Sequence, residues 1–236
     1  MLGRPVLLCL LCGSLVLGAC TDEGEPAPGP SAIASAGSGS PTEASPGTSP
    51  PEQTDTFSED DAVLDVAIPE PLTLDPLRIQ DPGAVLVARQ LFEGLTAWDP
   101  VAEEVVPAAA ESWKASNGSR RFRFKLREGM TFHNGSPVTA KDFVFAFDRI
   151  AQKRSGSELA YTLEDVEGFD DVNGFGTQKH LTGLKATDDL TLVISLDRPF
   201  VEFPTVLTHP ALVPLSSKVV KDLDGFLREP VGNGPF

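Results

Sequence analysis

Between Leu126 and Ile150 the chain reads LREGMTFHNGSPVTAKDFVFAFDRI, which gathers His133, Lys141, Asp142 and Asp148 around one tight turn. Residues of these types could run acid–base chemistry or hold a metal ion. A metal site needs three or four ligands, and no second His or Cys lies near His133 in the sequence. A general base needs a nucleophile within reach, and no G-x-S-x-G or comparable motif is present. The polar residues have local employment instead. Asn134 and Gly135 suit a turn after His133, and Thr139 stands three residues before Asp142, the spacing of a capping box. Val138 and Phe143 occupy the two positions of a hydrophobic staple, and Phe143, Phe147 and Ile150 continue along one helical stripe. The stretch is therefore expected to be structural, with no catalytic residue, no metal and no cofactor.

Covalent chemistry of another kind is written at Cys20. Arg4 is followed by an apolar run from Pro5 to Leu17, interrupted only by Gly13 and Ser14. Such a run is too short to span a bilayer as a helix and has the size of a signal-peptide core. It ends in Leu17-Gly18-Ala19-Cys20, small residues before a cysteine, which resembles the bacterial lipobox. Residues 1–19 are thus expected to be a lipoprotein signal peptide and Cys20 to be the lipidated (diacylglyceryl, palmitate-type) residue of the mature chain. Two or more acyl chains anchor stably where one is marginal, each buried methylene contributing about 0.8 kcal/mol. The other two cysteines, Cys9 and Cys12, lie within the leader, so no internal disulfide is available after cleavage.

Residues 20–56 form a linker. Thr21 to Thr56 holds seven Pro, five Gly and six Ser, with no aromatic residue, Lys or Arg. This composition cannot bury enough apolar surface to offset ordering entropy. The whole chain carries 19 Lys+Arg against 34 Asp+Glu, a balance that disfavours nucleic acid as partner because phosphate binding relies on clustered basic charge.

Folded patterning begins near Phe57 and must supply whatever positions a site. Ala62–Ile68 (AVLDVAI) suits a buried strand, and the prolines of PEPLTLDP force extended, irregular backbone after it. Asp81 fits a helix N-cap and Pro82 the first helical position, with Val85, Ala88, Leu91 and Phe92 on one face and Gly94 able to end the helix. A hairpin is expected around Asn117-Gly118, a type I′ pair. Its second arm alternates Phe122, Phe124 and Leu126 against Arg121, Arg123, Lys125 and Arg127. A second hairpin should turn at Asp188-Asp189, with Leu190, Leu192, Ile194 and Leu196 on one face. Pro199, Pro204, Pro210 and Pro214 disfavour a long regular helix in the following segment, each interior proline costing about 3 kcal/mol. His209, before Pro210, is expected to be structural.

The Leu126–Ile150 stretch closely resembles the signature of the bacterial family 5 extracellular solute-binding proteins, the peptide- and nickel-binding receptors of ABC transporters. LDVAIPEPLTLDP, ARQLFEGLTAWDP, VVPAAAESWKAS, LTGLKATDDLTLVISLDRPF, HPALVPL and PVGNGPF follow in the family's order, so the likeness covers essentially all of Leu64–Phe236. It implies a periplasmic-binding-protein-like α/β fold of type II: a two-lobed clamp with an α+β domain inserted in lobe one. On that plan the solute-binding domain is 57–236, with 57–98 in lobe one, 99–196 the inserted domain and 197–236 the return to lobe one. PVGNGPF matches the point where the family's chain runs on into a lobe-one strand and then the second lobe. The second lobe is accordingly expected to be missing from this sequence, which looks like a fragment.

In peptide-binding relatives an acidic residue of the second lobe holds the ligand's amino terminus, and no position here matches it. The resemblance places one cleft wall at Glu70, Pro71, Leu74 and Asp75, with exposed backbone able to pair with an extended peptide. It implies a monomeric, non-enzymatic receptor on the outer face of the cytoplasmic membrane. This receptor is lipid-anchored, binds oligopeptides or similar solutes and works with ABC permease and ATPase subunits. The alternative is a signalling or interaction lipoprotein that presents peptide on the same fold. A secreted hydrolase is disfavoured by the three His and the lack of a nucleophile motif.

Overall fold

Alternation along Arg121–Leu126 sets the plane of the main sheet. The computed structural model describes residues 66–236. In it, Phe122, Phe124 and Leu126 are at most 1% exposed, while Arg121, Arg123 and Lys125 face solvent. Two antiparallel hairpins lie side by side. β3 (Ala110–Ser116) pairs with β4 (Arg121–Leu126), and β5 (Leu184–Asp188) pairs with β6 (Thr191–Ser195). β4 also pairs with β6, giving the order β3-β4-β6-β5. Phe122 stands opposite Ile194 and Phe124 opposite Leu192, so both hairpins feed the same apolar layer. A separate two-stranded ribbon, β1 (Thr96–Asp99) with β2 (Glu104–Pro107), precedes the sheet. The division drawn at Asp99 falls inside this ribbon, where Asp99 pairs with Glu104.

Helix α1 (Pro82–Leu91) starts as its residues dictate: the Asp81 carboxylate accepts from the Ala84 N–H at 2.9 Å and Pro82 occupies the first position. Helix α2 (Ala140–Ala151) starts at Thr139, whose N–H and hydroxyl donate to the Asp142 carboxylate at 2.8 and 2.7 Å. Val138, Phe143, Phe147 and Ile150 are buried, and the two Phe rings meet edge-on at 6.1 Å. Two short helices close the described chain, α3 (Phe203–Val206) and α4 (Leu223–Arg228). The proline-rich segment therefore holds only a single turn of helix.

Three expectations need correction. Val66–Ile68, the described part of the expected strand Ala62–Ile68, lies in no strand. Val66 is 64% exposed, and no neighbouring strand runs beside it among the described residues. An apolar run becomes a sheet strand only where a partner supplies ladder bonds. The first hairpin turns over four residues, not two. Ser116 pairs with Arg121, and Arg120 N–H closes on the Asn117 carbonyl at 3.2 Å. The positive φ values that define the tight turn fall at Gly118 (60°) and Ser119 (61°) as well as at Asn117 (52°), so its centre is shifted by one residue. In the second hairpin Asp188 pairs with Thr191, which places the loop at Asp189-Leu190.

The end of α1 is decided from far away. Its last residue is Leu91, and Phe92 is already extended, two residues before Gly94. Gly234 N–H donates to the Leu91 carbonyl at 2.9 Å. The Asn233 side chain both accepts from Glu93 N–H and donates to its carbonyl, each at 3.0 Å. Orphan carbonyls at a helix end need partners, and here they come from the segment Pro230–Phe236. His133 fastens the same segment: its N–H donates to the Gly232 carbonyl at 2.9 Å and its Nδ1 accepts from Gly232 N–H at 3.1 Å. Nε2 therefore carries the ring proton and donates to the Gly234 carbonyl at 3.1 Å. The histidine of the opening motif is a clasp.

Candidate functional site

Residues 66–75 form no helix or strand and bend at Leu72; Pro69 and Pro71 bias Ile68 and Glu70 before them towards extended backbone. Glu70 is exposed and Pro71 and Leu74 half-buried. Val66, Ile68 and Leu72 are 64%, 37% and 87% exposed. Among the described residues, Val66–Pro71 make no backbone–backbone hydrogen bond. Pro69 and Pro71 carry no N–H and the Pro69 carbonyl stands against Gly83, so the groups left for pairing with an extended peptide are the N–H groups of Val66, Ala67, Ile68 and Glu70 and the other carbonyls.

Asp75 ends this segment and differs in kind from its neighbours. Arg149, on α2, grips it with both nitrogens at 2.6 Å, one on each carboxylate oxygen, and Leu77 N–H adds a third bond at 3.1 Å. The carboxylate is 5% exposed and the guanidinium 17%. Asp75 thus pins the exposed segment to α2, leaving Glu70, Pro71 and Leu74 as the accessible members of the sequence-derived set.

Beyond Leu77 the face of α2 opens into a groove of about 670 Å³, floored by Val144 and Phe145 and edged by Lys141, Arg149, Arg154 and Lys179. His180 lies there too, its Nδ1 2.7 Å from Asp148, whose other oxygen accepts from Leu181 N–H at 2.8 Å. Burial pushes the Asp148 carboxyl up, opposed by the Leu181 N–H and then by His180. Arg149 and His180 escaped sequence reading. An Asp-Arg pair interrupting an apolar helical stripe was a usable signal for buried ion pairing, but their partners stand 74 and 32 residues away.

His209 is half-buried beside a smaller hollow that it shares with Arg89. Its Nδ1 accepts from Ala211 N–H at 3.2 Å. Burial, and then the Arg89 charge, hold its pKa below the usual imidazole range. An unfolded histidine titrates near about 6.5, so the unfolded chain takes up this proton first as pH falls. The ring's contribution is complete above about pH 6.5 and is lost as pH falls toward its lower folded value. His209→Gln should flatten the decline of Tm between about pH 7 and pH 5. Superimposable pH profiles for the two proteins would contradict that assignment.

Comparison with known proteins gives the family. The model of "Bacterial extracellular solute-binding proteins, family 5 Middle" matches residues 104–236, and the chain belongs to that family. It is 35% identical over 160 residues to the probable deoxycholate-binding periplasmic protein YgiS of Escherichia coli, covering 64% of this chain and 28% of that protein. It is 34% identical over 172 residues to the periplasmic oligopeptide-binding protein OppA of Haemophilus influenzae, covering 71% and 32%. The crystal structure of Haemophilus influenzae OppA in complex with RPPGFSPFR superposes with a TM-score of 0.65 at 34% identity, covering 70% of this chain and 33% of that one. The unliganded open form of the murein tripeptide-binding protein MppA gives the same score at 30% identity, covering 70% and 32%. The chain thus has the mixed α/β fold of periplasmic binding proteins and spans about a third of the length of the relatives it matches.

Proposed function

We propose that this protein is the extracytoplasmic solute-binding component of an ABC transporter, that it takes oligopeptides or similar solutes, and that it acts by capture without catalysis. It would deliver solute to permease and ATPase subunits from the outer face of the cytoplasmic membrane, held there through lipid on Cys20. That residue lies outside the described residues, as do the proposed signal peptide and linker. The reading rests above all on the likeness to a chain solved in complex with the peptide RPPGFSPFR. The lack of backbone–backbone hydrogen bonds along Val66–Pro71 supports it from this chain's own backbone. Glu70, Pro71 and Leu74 would line one wall of the cleft, and Asp75 would hold that wall through Arg149.

The test is thermal unfolding of the full-length protein, with both lobes of the clamp, with and without a mixture of peptides two to nine residues long. Ligand at a hundredfold excess over Kd stabilises by about 2.7 kcal/mol, or roughly 5–10 °C for a domain of this size. A Tm that no peptide pool moves would overturn the peptide reading. Mass spectrometry of the membrane-extracted protein checks the anchor independently: the N-terminal peptide should begin at Cys20 and carry lipid mass.

A further inference from the structure

Both tryptophans of the chain border one open groove. Trp98 comes from β1 and is 42% exposed, although large aromatic rings usually bury most of their area. Trp113 comes from β3, half-buried, with its ring 6.3 Å from Phe124. The far bank is Val201 and Glu202, the residues leading into α3. It is fixed by the Thr96 hydroxyl, which donates to the Pro204 carbonyl at 2.8 Å. Three carboxylates, Glu103, Glu104 and Glu202, edge the hollow, whose volume is about 400 Å³.

None of these three glutamates has a cationic partner within salt-bridge distance among the described residues. Glu93 and Glu111, by contrast, are paired with Arg127 and Lys125. Val201 on the far bank is 71% exposed, and the exposed apolar side chains continue past the groove to Val101, in the turn that carries Glu103, which is 92% exposed. Clustered exposed apolar side chains rimmed by one sign of charge mark an interaction surface more than a solvated face. An indole face attracts a cation, flanking carboxylates add Coulomb attraction, and valines cover the aliphatic stem of a long basic side chain. One chemistry satisfies all three at once: lysine or arginine side chains presented by a polypeptide.

We propose that the Trp98–Trp113 groove is a docking surface for a basic segment of a partner protein. This assignment is independent of the solute reading, since none of Glu70, Pro71, Leu74 or Asp75 lines the groove. The tryptophans make it directly readable, because all indole emission of the chain arises at this groove. Acetylated, amidated hexa-arginine is titrated into the full chain while emission is followed, with hexa-glutamate as control. A saturable emission change is expected with hexa-arginine alone. In the combined Glu103→Gln, Glu104→Gln, Glu202→Gln variant it should weaken about tenfold or more, a loss of about 1.4 kcal/mol or greater. Surface glutamines should leave circular dichroism and any peptide-pool stabilisation unchanged, which separates this site from the solute cleft.

Three results would overturn the proposal. One is the absence of a saturable change, and another is an equal change in the triple variant. The third is saturation by choline at the same concentrations, which would make the groove a small-cation site instead.

Discussion

Arg149→Ala should lower unfolding stability by about 3–5 kcal/mol, the range seen when one partner of a buried ion pair is removed. Asp75 has both oxygens committed to Arg149 and is almost wholly out of water. Deleting the guanidinium leaves a carboxylate with only the Leu77 N–H for company, and water has little access to replace the lost bonds. The cost lies in the orphaned charge more than in the pair, because two well-paired buried charges roughly break even against apolar substitutes. Asp75→Asn combined with Arg149→Ala should therefore recover a large part of the loss. Its neutral amide oxygen can still accept from Leu77, and no buried charge is stranded. Denaturant unfolding of the three variants decides the matter. A single-variant loss under about 1 kcal/mol would mean the pair behaves as an exposed one. On the proposed function the pair should matter for binding as well: once the segment ahead of Asp75 is unpinned, peptide-dependent stabilisation should fall in Arg149→Ala.

The second large effect is expected at Gly232. A methyl group there would stand 1.8 Å from the Leu91 carbonyl oxygen, a backbone atom that cannot swing aside. Gly232→Ala must therefore shift the end of α1 or lift the Pro230–Phe236 segment away. Lifting it breaks the bonds made by Gly232, Asn233 and Gly234 to His133, Leu91 and Glu93. At about 0.5–1.5 kcal/mol net for each hydrogen bond, the combined loss reaches about 3 kcal/mol or more. The chain has three histidines, so imidazole proton resonances report the event residue by residue. The His133 signal should move, while that of His180, bound to Asp148 of α2, stays. Asn233→Ala removes only the two side-chain bonds to Glu93 and should cost about 1–3 kcal/mol. Equal Tm values for Gly232→Ala and the parent would show that the segment is not held as described.

Much of this fold was legible because the relevant physics is local. Phe122, Phe124 and Leu126 alternate because strand side chains alternate. Asp81-Pro82 and Thr139/Asp142 start helices because exposed N–H groups need acceptors within a few residues. The misplaced features all depend on partners that are remote along the chain. Which residues of Asn117–Arg120 and Asp188–Thr191 turn is set by the cross-strand register of Ser116 with Arg121 and of Asp188 with Thr191. Ala62–Ile68 looked like a strand from composition, yet its described residues have no neighbour to pair with. The candidate site divides the same way. Glu70, Pro71 and Leu74 were placed on an open wall by resemblance. That Asp75 is buried and bound by Arg149 required seeing that guanidinium arrive from 74 residues away.

The residues by themselves determined the helix starts, the strand faces and the structural role of the His133 turn, since each follows from neighbours within a few positions; the class of protein came from the resemblance of ordered blocks along Leu64–Phe236 to a known family. Only the tertiary structure decided where α1 stops, what His133 clasps, which carboxylate is buried and where the two tryptophans meet three unpaired glutamates. Those outcomes depend on close contact between segments up to 140 residues apart, and no local rule of spacing or composition encodes which distant groups will be neighbours.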